Sequence, residues 1–452
     1  MNWNKYLNSD RLRFSTRTRN LDSRNEFESD FGRVIFSPAV RRMHDKTQVF
    51  PLTDNDNIHS RLTHSLEVMS VGYSIALSLS RNKSFLEKAG FQDEVSARDI
   101  PDIVKSACLI HDVGNPPFGH FGETVIQNYF KELFKTGIPR IGKQFQLSPS
   151  EEQDFTLFDG NAQGFRVLTK LQILDDTYGL NLTYATLGAF LKYPNAGNIN
   201  KQILSQKKRG VFNSEKEYLH LIGEHCGLKC GDDIMRHPLS YIMEAADSIC
   251  YLVMDIEDAC NKKWFDYHYI KRHLEHNETL KEIFDEIDQN ITTELSDHKK
   301  MVDLRLALIK YLVHLAGSNY IEHLDEICKG TYNQELIYDD PNQLAKCLST
   351  FCLQHIFSHK EVILLELTCY SVLKGLLDCY IDFCFHDNPQ YREKGASSLS
   401  HSIVKAALLE SGVEEFDRMS DYYKLRAIVD FVSGMTDQYA LSHFQKISGQ
   451  KI

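Results

Sequence analysis

His111-Asp112-Val113-Gly114-Asn115-Pro116-Pro117-Phe118-Gly119-His120-Phe121-Gly122-Glu123 follows directly on an apolar run at 103–110. That run delivers an adjacent His and Asp to the end of a helix, where Gly114 and the Pro116-Pro117 pair stop it and turn the chain. Neighbouring residues on a continuing helix point about 100° apart, so both side chains face one point most easily at such a terminus. The placement suits a metal site. If a helix resumes over 119–130, His120 and Glu123 share one face, where the carboxylate holds the imidazole in one tautomer and raises its basicity.

Working outward, apolar residues recur at three- and four-residue spacing along most of the chain, and only 24 Gly and 11 Pro interrupt them. The spacing predicts helices over 61–80, 102–110, 121–134, 161–174, 241–259, 302–316, 361–383, 403–409 and 422–433. There is no βαβ alternation, so the expected class is all-α. The short stretches 34–36 and 48–50 read as strands or extended loop, and Ser37 with Pro38 predicts a helix start for 39–45. Polar or Gly/Pro-bearing segments at 82–96, 136–159 and 193–200 read as loops. No fixed-period repeat or low-complexity tract is present, which excludes solenoids and propellers.

The 452 residues correspond to about three average domains, although a large helical enzyme can use that length as one unit. The reading divides the chain near 265, into an N-terminal arm with the metal and catalytic region (1–265) and a helical region packed on it that contributes to the same pocket (266–452). With 51 Lys and Arg against 62 Asp and Glu, the net charge is −11, which does not mark a duplex-coating protein. Residues 1–10 are polar where a secretory signal would be apolar, and no window approaches the eighteen apolar residues of a membrane span; the expected location is the cytoplasm, with no membrane partner. Eleven scattered Cys point to reduced thiols. Cys226 and Cys230 are the one close pair, with no second pair to complete a zinc site.

Two other segments add to the His-Asp pair. Arg61 and His64, three residues apart at a predicted helix start, place a cation beside an imidazole. Asp247, Tyr251 and Asp255 recur every four residues along one stripe of an otherwise apolar helix, where buried carboxylates need partners. A single His or Asp at a helix end is usually a cap or a satisfied polar group. His64, His111, Asp112 and Asp247 together form a mixed N/O set without thiolate, which suits Mn, Mg, Fe, Ni or catalytic Zn better than structural Zn.

The order His64, His111-Asp112, Asp247 resembles the HD-domain superfamily of metal-dependent phosphohydrolases. HDVGNPPFGHFGE, with RRMHDKTQVFPL (41–52), RLTHSLEV (61–68), FDGNAQGFR (158–166), MEAADSICYLVMDIEDA (243–259) and VSGMTDQYA (432–440), is similar more specifically to the deoxyguanosinetriphosphate triphosphohydrolases. The resemblance runs from about Arg17 to Tyr439. It implies an all-α HD-type core with additional helices around it, a divalent ion (Mg or Mn first, with Fe, Ni, Co or Zn as alternatives) on His64, His111, Asp112 and Asp247, and His120 with Glu123 as the catalytic pair. The implied reaction cleaves dGTP, or another dNTP, at the α-phosphorus to a deoxynucleoside and tripolyphosphate. Homo-oligomers and activation by single-stranded DNA are also implied.

The resemblance further implies substrate contacts. Gln48 and Val49 stand near the deoxyribose 3′-hydroxyl, and Tyr251 stands under the sugar, with Asp255 one turn further on. Arg61 lies by the phosphates, Lys192, Tyr193 and one of Lys207 or Lys208 along the polyphosphate, and Glu366 at the guanine edge; Asn161, which could also cap the helix after it, lies in a matching segment near the active site. Asn115 departs from the many HD relatives that carry His there and cannot act as a protonated group, although dGTP-preferring members resemble this version. Four arginines within 11–19 suit phosphate groups of a nucleotide, of single-stranded DNA or of a neighbouring subunit, or a solvated arm. The competing readings are an HD-type phosphodiesterase or 5′-nucleotidase acting on cyclic nucleotides or monophosphates, and a non-enzymatic nucleotide- or DNA-sensing module.

Overall fold

The computed structural model describes residues 2–13, 23–50, 52, 57–94, 97–172, 178–231, 233–289 and 297–450. Helices dominate, and among the described residues the only sheet is a two-stranded antiparallel pair, Lys229–Cys230 with Asp233–Ile234. The fold is therefore all-α.

Three helices build the centre. The His64 helix, Arg61–Ser80, begins at a capping box in which the Ser60 side chain accepts from the Thr63 amide and the Thr63 hydroxyl accepts from the Ser60 amide. The second, Asp99–Ile110, is buried along most of its length and hands the chain to His111 at its C-cap. The Asp247 helix, Ser240–Asn261, is covered nearly all round, its carboxylates Glu244, Asp255, Glu257 and Asp258 included, so those groups need partners. Gly72 sits where the three meet. A Cβ there would run into Cys108 Sγ and crowd Val104 and Ala246, so the missing side chain sets how closely the metal-ligand candidates approach one another.

One buried core gathers residues from Trp3 to Val362, and a second surrounds Phe118, Phe130, Leu373, Leu377, Leu425 and Ile428. The long helix Lys360–Cys384, which carries Glu366, passes from the first core, at Val362, to the second, at Cys369.

Several expectations are corrected. Residues 34 and 35 are not extended but end the helix Glu26–Ile35, which a capping box between Asn25 and Glu28 starts; a short apolar run carries no period long enough to tell strand from helix. The segment 82–96 holds a helix, Lys83–Ala89, capped by Asn82 and ended by Gly90 at φ +81°; 95 and 96 lie outside the described residues. The segment 136–159 holds the helix Pro149–Thr156, opened by Ser148 and Glu151 with Pro in the first turn. The helix foreseen over 161–174 is α-helical at Gly160–Arg166 and π-helical at Val167–Leu171, its final two residues being outside the described set. Gln48–Phe50 is irregular, joined to the rest by a bridge between Thr47 and Ser60.

Arg11 does not offer its charge to a phosphate. Its guanidinium is buried against Glu26 and Asp30 and donates to the Asn181 carbonyl. Arg17 and Arg19 lie outside the described residues. Cys226 is buried and Cys230 exposed, both free thiols, and no group of metal-ligand side chains forms around them among the described residues. No described helix is long and apolar enough to cross a membrane.

Candidate metal and active site

The ligand-type atoms of His64, His111 and Asp112 all lie within 4.8 Å of one another. Asp247 joins them from the facing helix, with Oδ1 3.2 Å from His64 Nε2 and 3.3 Å from His111 Nε2. The His111 Nδ1–H donates to the Cys108 carbonyl at 2.7 Å, which leaves Nε2 as the nitrogen that faces the carboxylates. That is the ring orientation a metal ligand needs. Nε2 is buried, and among the described residues it has no hydrogen-bond partner. Burial alone would depress the His111 imidazole, but the charges of Asp112 and Asp247 lift it to about 9, so the cluster favours positive charge. The donor set and its orphaned nitrogen fit a divalent cation.

Asp112 is anchored on two sides. The Arg61 guanidinium pairs with its Oδ2, and Asn115 Nδ2 donates to Oδ1 at 2.7 Å. Gly119, at φ +61°, lets the turn after Pro117 lie against Arg61, whose guanidinium a Cβ would strike. The helix Gly119–Thr136 starts there and presents His120 with a 75% exposed side chain. Its Nδ1 is 3.0 Å from Glu123 Oε2, and Glu123 is buried. The Glu123 charge and this hydrogen bond raise the His120 imidazole. Burial works to raise the Glu123 carboxyl, yet the His120 charge and hydrogen bond hold it below its ordinary value.

His111, Asp112, Asp247 and His120 open onto one cavity of about 540 Å³. Its wall brings together Gln48, Val49, Arg61, Asn115, Asn161, Lys192, Tyr193, Lys207, Tyr251, Asp255 and Glu366. The two expected positions outside the wall are His64, buried behind Asp247, and Glu123, buried behind His120. Met243 and Val362 from one core and Phe118 and Cys369 from the other also line it, so the cavity lies where the two cores meet.

Cations gather on one side. Lys192 Nζ lies 3.6 Å from Glu244 and 3.5 Å from Asp247, Lys207 Nζ lies 3.5 Å from Glu335, and Lys208 Nζ lies 3.0 Å from Asp159. Both Lys207 and Lys208 reach the cavity. Gln48 Oε1 is buried with no hydrogen-bond partner among the described residues, and the Tyr251 hydroxyl is 3.2 Å from that of Tyr338. Burial, and then the charge of Asp258, push the Asp255 carboxyl well above the usual range. Burial also raises Glu366.

Glu335, Ser248 and Phe357 were not foreseen on this wall. Glu335 accepts from the Ser248 hydroxyl at 2.9 Å, yet it stands on an irregular segment whose sequence carries no period. Asp159 was also missed. It caps the following helix through Asn161, and the motif 158–166 was the available signal.

This fold and this His/Asp cluster define an HD-domain phosphohydrolase: the HD domain family matches residues 61–144, and the phosphohydrolase-associated domain matches 339–446. A deoxyguanosinetriphosphate triphosphohydrolase-like protein of Listeria monocytogenes serovar 1/2a is 34% identical over 470 residues, covering 99% of this chain and all of its own length. The deoxyguanosinetriphosphate triphosphohydrolases of Enterobacter sp. (strain 638) and Salmonella typhi are 34% and 33% identical, each across 93% of both chains. The chain belongs to the deoxyguanosinetriphosphate triphosphohydrolase family.

Proposed function

We propose that the protein hydrolyses deoxynucleoside triphosphates, dGTP first among them, to the deoxynucleoside and tripolyphosphate. The observation that carries this reading is one cavity whose wall joins the His/Asp cluster and His120 to Lys192, Lys207, Lys208 and Glu366. His64, His111, Asp112 and Asp247 hold a divalent cation, Mg²⁺ or Mn²⁺. When bound, such an ion supplies polarisation of a phosphoryl oxygen and orientation of water.

The chain's own residues do the rest. Arg61, Lys192 and Lys207, with Lys208 beside it, compensate the triphosphate charge as it leaves water, and the neutral Tyr193 hydroxyl donates a hydrogen bond to it. Water oxygen bonds to the α-phosphorus, the bond from that phosphorus to O5′ breaks, and O5′ departs with a proton as the nucleoside hydroxyl. His120 transfers a proton at its Nε2, while Glu123 orients the ring through Nδ1. Gln48 Oε1, an acceptor without a partner among the described residues, takes the sugar 3′-hydroxyl next to Val49, and the Asp255 carboxylic acid donates nearby. Tyr251 fills the space a 2′-hydroxyl would need. Glu366 accepts from guanine N1–H and the exocyclic amine, and Asn115 and Asn161 complete the wall.

Two further parts of the proposal rest on the family resemblance, a homo-oligomer and activation by single-stranded DNA; a cytoplasmic location and a catalytic region over 1–265 with 266–452 packed on it rest on the sequence pattern. The test incubates the protein with each dNTP and with GTP, with Mg²⁺ or Mn²⁺ and after chelation, and resolves the phosphorus products by ³¹P NMR. Tripolyphosphate with deoxyguanosine is expected, and only with metal. Orthophosphate or pyrophosphate overturns the reading in favour of another phosphohydrolase.

A further inference from the structure

Asp437, 2% exposed, begins the helix Asp437–Ile447 far along the chain from the catalytic motif. Its Oδ2 accepts from the Thr47 amide at 3.0 Å and from the Thr47 hydroxyl at 2.5 Å, and its Oδ1 accepts from the Phe118 amide at 2.9 Å. Thr47 precedes Gln48 directly. Phe118, left-handed at φ +64°, stands at the N-terminus of the helix that carries His120. A second tie runs parallel to the first. Lys46 Nζ, itself buried, donates to the Asn115 carbonyl at 2.5 Å and to the Ser433 carbonyl at 3.0 Å. Residues 433–437 thus hold both ends of the 115–118 turn and the 46–47 segment in one frame.

We propose that Asp437 is a positioning residue that sets the distance and angle between Gln48 and His120 across the cavity. The inference rests on the reading above, in which Gln48 takes the 3′-hydroxyl and His120 works at the α-phosphate. Two groups that must meet one substrate at its sugar and at its phosphorus come from segments about seventy positions apart, and one carboxylate fixes both backbones. The charge state matters. Three donors converge on two oxygens, so an amide in its place satisfies one side and turns an N–H toward a donor on the other, leaving a buried N–H without its acceptor. Phe118 cannot hold its backbone cheaply without that acceptor, because a left-handed non-glycine residue persists only where its surroundings enforce it.

The test is Asp437→Asn, with Thr47→Val, which removes only the hydroxyl bond, and Thr47→Ser, which keeps it. Each is assayed for bound metal, melting temperature, kcat with dGTP, and the ratio of kcat/KM for dGTP to that for 2′,3′-dideoxy-GTP. Asp437→Asn is expected to keep its metal, to lose kcat on the order of 10²-fold as misplacement by about 1 Å does, and to lose most of its preference for the 3′-hydroxyl, approaching Gln48→Ala. Thr47→Val shifts both readouts in the same direction by less, and Thr47→Ser restores them. A purely structural role lowers the melting temperature and leaves the ratio untouched, so a folded Asp437→Asn with the wild-type ratio and kcat overturns the inference. If Asp437→Asn does not fold, a Thr47→Val indistinguishable from wild type overturns it. If Gln48→Ala itself keeps the 3′-hydroxyl preference, the sugar-contact reading fails, and a wild-type kcat in folded Asp437→Asn then overturns the positioning role separately.

Discussion

The amide N–H of Gly160 donates to Glu123 Oε1 at 2.7 Å. It can do so because position 160 has no side chain: a Cβ there would collide with Asn115 Oδ1 and press on Glu123 Oε1. Gly160 therefore touches both the support of Asp112, through Asn115, and the support of His120, through Glu123. Gly160→Ala is expected to lower kcat by about 10²-fold, the effect of a small displacement at a reacting centre, with helical content unchanged. Steady-state kinetics beside circular dichroism checks this; wild-type turnover in the variant removes the argument.

His120→Ala should retain metal and substrate affinity and lose about 10²- to 10⁴-fold in kcat, the range for a positioned acid or base. Glu123→Gln tests the pairing. The Glu123 charge and hydrogen bond raise the His120 imidazole, so neutralising Glu123 lets it fall toward the ordinary value of about 6.5. The limb of the pH–rate profile that belongs to His120 then moves to lower pH. A limb that stays in place dissociates the two residues.

His64→Ala and Asp247→Ala should each lose bound metal and activity together. Both side chains meet at 3.2 Å, and ion affinity depends on the complete donor set. Metal content by plasma emission, measured against turnover, decides it: full activity with full metal in either variant takes that residue out of the cluster.

The helical architecture was legible because long amphipathic segments repeat often enough to declare their period. The His64 helix has the bounds its sequence predicts, Arg61–Ser80, since Ser60 and Thr63 mark its start locally. The His/Asp set was legible for a similar reason, as rare residue types stand at helix ends and along an apolar stripe. What escaped detection is held by contacts between distant segments. Asp437 and Thr47 are 390 positions apart, and nothing adjacent to either announces the other. Lys46 reads as an ordinary surface lysine until Asn115 and Ser433 are seen to enclose it. The short helices Lys83–Ala89 and Pro149–Thr156 were hidden because caps and prolines make polar text that resembles loop.

Glu366 is only partly buried, and burial raises its carboxyl above the ordinary value; Val362, Leu365 and Cys369 share its cavity face. In Glu366→Ala the two acceptor oxygens disappear, so dGTP should lose more kcat/KM than dATP, dCTP or dTTP, narrowing the preference by about 10-fold or more. Competition assays with mixed dNTPs read this directly. An unchanged ranking ends the guanine role.

His59 ties the entrance of the His64 helix to the Asp247 helix. Its Nδ1 is 2.7 Å from Asp258 Oδ1 and its Nε2 3.1 Å from Glu67 Oε1, and Asp258 also accepts from the His59 amide. Burial works to lower this imidazole, but the hydrogen bonds and charges of Asp258 and Glu67 raise it to about 10. The unfolded chain holds the same proton only below about 6.5. A group whose folded value lies above its unfolded one contributes stability that is fully present below about pH 6.5 and is lost as pH rises toward about 10. His59→Gln removes the charge and keeps a polar side chain of similar reach. The gap in melting temperature between wild type and His59→Gln should therefore be widest near pH 6 and shrink steadily by pH 9.5. A gap that does not change over that interval would mean that the folded protein binds no more protons around His59 than the unfolded chain does, and would overturn the raised imidazole.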